Sequence, residues 1–135
     1  AQPTIALDPD QKVTPGTAVL VEGVLVGTIA KQQLGTATVN LLWQKETLPI
    51  LAETDSKVQG LVMGDGRRVL FTEVPVDQEL TIGQQVVSVG QTGVEQGLFI
   101  GEIRAIVTGY SNAVKTAVLE QYVSFYQVGL VEVRF

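Results

Sequence analysis

Short apolar segments separated by glycine-containing breaks recur along the whole chain. They are rich in Val, Ile, Leu and Thr, as is typical of β-strands in sandwiches and barrels. No stretch sustains the apolar spacing of an amphipathic helix between helix caps. The pattern predicts strands at residues 4–7, 18–21, 25–31, 36–43, 48–53, 58–63, 67–74, 86–89, 98–108, 113–120 and 128–135. A helix can be argued for residues 111–120, but the alternation of Val114, Thr116 and Val118 favours a strand.

Glycines mark the turns and bends of this pattern. Gly64-Asp65-Gly66 predicts a hairpin, in which the Asp-Gly pair supplies the positive φ values of a tight turn. A glycine inside a strand indicates a bulge or a bend at a barrel corner rather than a ligand site. We expect structural turn or bend roles for Gly16, Gly27, Gly64, Gly66, Gly83 and Gly101.

The chain contains a weak internal repeat, here called the internal echo. Residues 13–19 resemble residues 80–86, residues 25–29 resemble 99–103, and residues 38–42 resemble 116–120, in the same order. Repeated strand order of this kind predicts two related units, each a small barrel.

The fold class that follows is all-β, with two small packed β-barrels of related strand order. We predict a first barrel at residues 1–46, completed by the returning residues 121–135, and a second at residues 47–120. Chain termini commonly lie close together, which permits such a return. Domains this small bury a limited surface fraction, so the two units are expected to share an interface.

Composition excludes several classes of function. The chain has 135 residues, is 45% apolar and carries a net charge of −5. Its longest basic run is Arg67-Arg68, so a nucleic acid partner is not expected. It has no Cys, which excludes disulfides and thiolate metal sites. No apolar run is long enough to predict a membrane span.

Catalytic chemistry is not expected. The chain has no His, which removes the Ser-His-Asp and Cys-His arrangements and most zinc sites. The carboxylate pairs are interpreted as solvated turn residues: Asp8 with Asp10, Glu53 with Asp55, Glu73 with Asp77, and Asp77 with Glu79. We therefore predict no enzyme activity, no metal and no cofactor. A divergent barrel hydrolase using a carboxylate pair is the enzymatic alternative.

Two segments each allow two interpretations. The loop at residues 90–97 carries three glycines and is either a contact loop or a wide barrel turn. The C-terminal aromatic residues are either an interface cluster or core and inter-barrel packing; they are Tyr122, Phe125, Tyr126 and Phe135.

The order of segments resembles the extracytoplasmic region of the rod shape-determining protein MreC family. The resemblance is carried by residues 4–8, 13–19, 23–29, 39–42, 50–52, 58–64 and 82–103. It includes two Gly-x-x-Val steps, one strand of the type Gly-Leu-Val-Gly-x-Val and one element of the type Gly-Leu-x-x-Gly-x-Val. Gln84 stands where that family usually has Asp after Gly.

The resemblance implies a non-catalytic scaffold of the bacterial cell-wall elongation machinery. Members hold a penicillin-binding transpeptidase and other elongation-complex proteins, and they self-associate into homo-oligomers. It also implies an extracytoplasmic location, with membrane attachment through an N-terminal helix and coiled coil that the printed chain does not include.

The last predicted strand is apolar and lightly charged, which makes it a candidate pairing edge. We expect self-association to involve Val131, Val133 and Phe135. The alternative function is a β-barrel adaptor domain of a membrane fusion or efflux protein, although the lipoyl-like hairpin that usually accompanies such a domain is not seen.

Overall fold

The computed structural model describes residues 3–8, 11–107, 113–123 and 131–134. They form eleven strands: β1 Thr4–Ala6, β2 Ala18–Val21, β3 Val24–Gln33, β4 Thr36–Leu41, β5 Ile50–Thr54, β6 Gln59–Gly64, β7 Val69–Pro75, β8 Gln85–Ser88, β9 Phe99–Val107, β10 Val114–Glu120 and β11 Glu132–Arg134. The all-β prediction is confirmed, since each predicted strand has a counterpart and the described residues contain no helix. Of the segment that could be argued as a helix, residues 114–120 form strand β10, and residues 111 and 112 lie outside the described residues.

Most strand boundaries differ from the prediction by one or two residues, and strands β5 and β7 each begin two residues later than predicted. β5 begins at Ile50 instead of residue 48, directly after Pro49, which has no amide to donate to a strand ladder. β7 begins at Val69 instead of residue 67, because residues 65–68 form the turn. Residues 128–130 and 135 of the last predicted strand lie outside the described residues.

Six strands form a closed barrel. The ladders run β5–β6–β7–β10–β9–β8, and β8 pairs back to β5. Closure of this kind leaves no free edge along the ring. One barrel of the predicted pair is therefore confirmed.

The other five strands form a sheet in the order β1–β4–β3–β2–β11. Among the described strands no ladder joins β1 to β11, so this group, here called the terminal sheet, is open and the two-barrel prediction is confirmed only in part. β11 pairs antiparallel with β2, Val133 opposite Val19. The domain division at residues 46/47 and 120/121 stays a prediction.

The internal echo corresponds to a repeated set of backbone contacts. The amide of Gly16 donates to Ile29 O at 2.8 Å, and the amide of Gly83 donates to Ile103 O at 2.8 Å. In return, the amide of Ile29 donates to Thr17 O and the amide of Ile103 donates to Gln84 O, each at 2.9 Å. β2–β3–β4 and β8–β9–β10 are therefore two copies of one three-stranded unit.

Strand pairing corrects the third echo segment by two residues. Lys31 of β3 pairs with Thr38, and Ala105, the corresponding residue of β9, pairs with Val118. Thr38 therefore corresponds to Val118 instead of Thr116. The sequence alignment was wrong because both segments repeat Thr and Ala at short spacing, whereas the neighbouring strand sets the register.

The six structural glycines fall into two groups of three. Gly16, Gly66 and Gly83 have φ values of 91°, 96° and 97° and lie in turns. At Gly27, Gly64 and Gly101 the chains approach so closely that an added Cβ would overlap the backbone of Asn40, Trp43 and Glu120, respectively. Gly27 and Gly101 also each follow a β-bulge residue, Val26 and Ile100.

Strand β2 is buried on both faces and links two hydrophobic cores. Ala18 and Leu20 pack in the barrel core with Phe71 and Ile100. Val19 and Val21 lie in the core of the terminal sheet. A strand covered on both sides is expected to be continuously apolar, as Ala18–Val21 is.

Polar contacts complete the junction between barrel and terminal sheet. Val24 of β3 pairs in parallel with Phe99 of β9. Gln121 Nε2 donates to Leu25 O at 2.6 Å and to Ile100 O at 2.9 Å. One side chain thus connects the main chains of both groups of strands.

The loop at residues 90–97 belongs to the same junction. Its Gly93 carbonyl accepts from the amide of Ala18 at 2.9 Å, and a Cβ at Gly93 would overlap Gly16 O. Glu95 in this loop faces Arg134, with Oε1 3.5 Å from Nη1. The segment is therefore the wide turn that joins the paired barrel strands β8 and β9, and it also contacts the terminal sheet.

We expect Gln121→Met to destabilise the protein by about 2 kcal/mol, because it removes two hydrogen bonds worth about 1 kcal/mol each at nearly constant volume. The free energy of unfolding in urea, followed by circular dichroism, measures the effect. Gln33→Met is the matched control, since Gln33 is exposed. Equal midpoints for the two variants would contradict a bridging role for Gln121.

Candidate interaction surfaces

The described carboxylates do not assemble into a reactive site. Glu53 is buried, but its Oε1 lies 3.1 Å from Lys57 Nζ. Asp55, Glu73 and Asp77 are exposed, and Asp10 lies outside the described residues. No group of three or more Asp or Glu side chains that could hold a metal ion occurs in the part of the chain that the structure describes. The functional candidates are therefore surfaces.

Strand β11 is an edge of the terminal sheet. Among the described strands it pairs only with β2, so its other side has no strand partner within the described residues. Val131 and Val133 are half-buried and pack against the core of the terminal sheet, while Glu132 is exposed. Phe135 lies outside the described residues. The feature that this strand offers to a partner is its backbone edge, because both valine side chains face inward.

The barrel carries an exposed apolar face on β5, β6 and β7. Leu51 lies directly opposite Leu61, and Met63 lies directly opposite Leu70. Leu51 and Met63 are 45% and 36% exposed, and Leu61 and Leu70 are half-buried. The outer side of a solvated sheet usually carries polar residues. These four residues, here called the leucine face, therefore resemble the apolar centre of a protein interface.

Sequence reasoning did not identify the leucine face. The signal was present: in β5 to β7 the inward residues Ile50, Val62 and Phe71 alternate with outward Leu or Met where polar residues would be usual. Unbroken apolar runs also occur in strands buried on both sides, such as β2. Of the C-terminal aromatic residues, Tyr122 is 65% exposed and the other three lie outside the described residues.

The turn beside the leucine face is held by Asp65. Its Oδ1 accepts from the amides of Arg67 and Arg68 at 2.8 and 2.6 Å, and its Oδ2 accepts from Arg68 Nε at 2.9 Å. Only Gly66 has a positive φ in this turn, so the prediction of positive φ at both Asp65 and Gly66 was wrong. Asp65 instead organises a four-residue turn through its side chain.

These hydrogen bonds lower the pKa of Asp65. The amide of Arg68 contributes most and the amide of Arg67 next, and the pKa falls from 3.8 to about 2. Hydrogen bonds to the charged form favour ionisation. The carboxylate form of Asp65 is thus the form that stabilises the hairpin.

Comparison with known proteins identifies a family. The model described as "Rod shape-determining protein MreC, barrel core" matches residues 3–134. No curated protein sequence matches the chain. No helix in the described residues is long and apolar enough to span a membrane.

Solved structures agree with this match. MreC of Listeria monocytogenes superposes with a TM-score of 0.78 at 26% identity over 90% of this chain, which spans 61% of that protein. MreC of Helicobacter pylori, solved in complex with the penicillin-binding protein PBP2, gives 0.70 at 20% identity over 87% of this chain and 75% of that one. The major periplasmic domain of the cell shape-determining filament MreC gives 0.74 at 14% identity over 89% and 77%. The last two likenesses show the fold.

We expect Asp65→Asn to lower the free energy of unfolding by about 1 kcal/mol near neutral pH, where the carboxylate accepts its hydrogen bonds. Because the folded-state pKa is depressed, this contribution is complete above pH 3.8 and is lost as the pH falls through about 2. As the pH is lowered from 3.8 to about 2, the free energies of unfolding of the wild type and of Asp65→Asn, measured with denaturant, should therefore converge. A difference that is independent of pH would contradict the assignment.

Proposed function

We infer the function from the family: this chain belongs to the rod shape-determining protein MreC family. We propose that it is the head region of a non-catalytic scaffold in the cell-wall elongation machinery, which binds a penicillin-binding transpeptidase and so maintains rod shape. The observation that carries this proposal is the family match over residues 3–134. The adaptor alternative has no comparable support.

The location and partners of the whole protein are part of this proposal. We propose that the head lies outside the cytoplasmic membrane and that a segment outside this chain anchors it. The likeness to a periplasmic domain of MreC supports the location. The likeness to an MreC that was solved with PBP2 supports a transpeptidase as the partner. Other elongation-complex proteins are further proposed partners.

The leucine face is the proposed contact for the transpeptidase. Its apolar pairs Leu51/Leu61 and Met63/Leu70 lie on the wall of a closed barrel, which changes shape little on binding. An apolar centre with a polar rim is the common arrangement of a stable protein interface. Thr72 of β7, which lies directly opposite Leu61, supplies part of such a rim.

The β11 edge is the proposed site of self-association. A strand that pairs on one side can add a strand from a second copy on the other. The description of a related MreC as a filament supports self-association of this kind.

We expect the elongation-type penicillin-binding transpeptidase of the same organism to bind the purified chain in biolayer interferometry. The double variant Leu51→Glu/Met63→Glu should weaken binding at least about tenfold, since central apolar contacts dominate interface energies. Leu34→Glu/Ile82→Glu is the matched control, because both residues are exposed and lie outside the leucine face. No binding by the wild-type chain would contradict the scaffold function. Equal binding by both variants would contradict only the choice of face.

We expect proline substitution to separate folding from self-association. Neighbouring amides on a strand point to opposite edges, so one of Glu132→Pro and Val133→Pro removes a donor to β2 and the other removes a donor on the free edge. The variant that keeps the wild-type melting temperature should sediment as a monomer at concentrations where the wild type associates. If it associates like the wild type, β11 is not the self-association edge.

A further inference from the structure

A cleft of about 330 Å³ opens where the terminal sheet meets the barrel. Val26 and Leu41 of the terminal sheet form one part of its wall, and Val118 of β10 forms another. Trp43, which connects the two groups of strands and packs against both cores, also lines it. Val26, Leu41 and Val118 are buried, so among these residues the half-buried ring of Trp43 supplies the apolar surface that the cleft exposes.

Arginines are concentrated in this cleft. Arg67, Arg68 and Arg104 line it, and Arg134 is the only other arginine of the chain. All three are exposed. A chain of net charge −5 thus places most of its guanidinium groups around one opening, although they come from the β6–β7 turn and from β9.

Two of these guanidinium groups are not engaged within the described structure. Arg68 Nε lies 2.9 Å from Asp65 Oδ2. Neither Arg67 nor Arg104 forms an ion pair with any residue in the described ranges. Glu120 also lines the cleft, and it too has no ion pair with a described residue. With Arg68 paired to Asp65 and Glu120 in the same lining, the cleft keeps a net charge of +1, and its guanidinium groups free of ion pairs with described residues are those of Arg67 and Arg104.

We propose that this cleft binds an extended acidic segment of a partner protein. Carboxylates of the segment pair with Arg67 and Arg104, whose planar guanidinium groups can bind a carboxylate with two parallel hydrogen bonds. An apolar side chain of the same segment packs on the half-buried ring of Trp43. This site is separate from the leucine face and the β11 edge and does not depend on the proposed function.

The combination of charge and apolar wall favours a peptide over other anions. A phosphodiester or polyphosphate chain would use the arginines and leave the exposed part of the Trp43 ring without a partner. An acidic peptide with an apolar residue uses both parts of the cleft. Charge complementarity raises the rate of such encounters and selects the partner.

Trp43 provides a direct readout, because it is the only tryptophan of the chain. A capped hexapeptide of glutamate and leucine is titrated into the protein and the Trp43 emission is recorded. We expect a saturable change that weakens as NaCl rises from about 25 to about 300 mM, since salt screens exposed charge pairs. A peptide with glutamine in place of glutamate should bind at least about fivefold more weakly.

Charge-matched variants test the arginines. Arg67→Gln/Arg104→Gln should raise the apparent Kd about fivefold, the size expected from losing two exposed ion pairs. Lys12→Gln/Lys31→Gln removes the same charge from exposed positions outside the cleft and should leave the Kd nearly unchanged. Circular dichroism establishes that both variants fold.

Three results would overturn the proposal. Equal binding of the glutamate and glutamine peptides would show that the arginines do not recognise carboxylates. Displacement of the peptide by inorganic polyphosphate of equal or higher affinity would indicate a general anion site. A Trp43 signal that changes with protein concentration alone, without peptide, would assign the cleft to a second copy of this chain.

Discussion

The structure depends on one strand that is buried on both faces. Ala18 and Leu20 of β2 fill the barrel core, while Val19 and Val21 fill the core of the terminal sheet. Neither group of strands is large, and small units bury too little apolar surface to be secure alone. A shared strand makes each core complete only when the other is present. The barrel and the terminal sheet are therefore expected to fold and unfold as one unit.

The junction also brings two copies of a repeated unit together in different roles. β8 and β9 belong to a closed ring, whereas β2 and β3, their counterparts, connect that ring to an open sheet. The copies meet at the parallel pair Val24 and Phe99, and Gln121 donates to both main chains. A closed ring has no free edge, while β11 lies at the edge of the terminal sheet among the described strands. The two copies of the unit therefore take different positions in the strand arrangement.

This arrangement is compatible with the proposed scaffold function. The described carboxylates are solvated or paired, and the chain has no histidine. The features that call for a partner are surfaces on rigid elements: the leucine face on the barrel wall, the β11 edge, and the arginine cleft at the junction. Since β2 and Gln121 hold barrel and sheet together, these surfaces keep a constant spacing. A scaffold needs such spacing to hold several proteins in one geometry.

The sequence by itself determined the strands, the all-β class, the turn glycines and the presence of a repeat. These properties depend on local signals, namely apolar alternation, β-branched residues and glycine spacing, which act within a few residues. Ordered segment resemblance also indicated the family. Strand pairing was harder to predict from the sequence. The third echo segment was misaligned, and the four-residue turn at Asp65 was predicted as a shorter turn. Both depend on which backbone atoms meet once the strands are paired.

Only the tertiary structure decided which apolar residues are covered. Leu51 and Met63 of the leucine face look in sequence like the buried residues of β2, because alternation cannot distinguish a strand covered on both sides from one whose outer side stays open. The arginine cleft was equally hidden, since Arg67 and Arg104 lie 37 positions apart and meet only because β10 pairs with both β7 and β9. Which residues are buried and which lie close together depends on how the strands pair. The paired strands lie far apart along the chain, whereas a local sequence pattern extends over only a few residues.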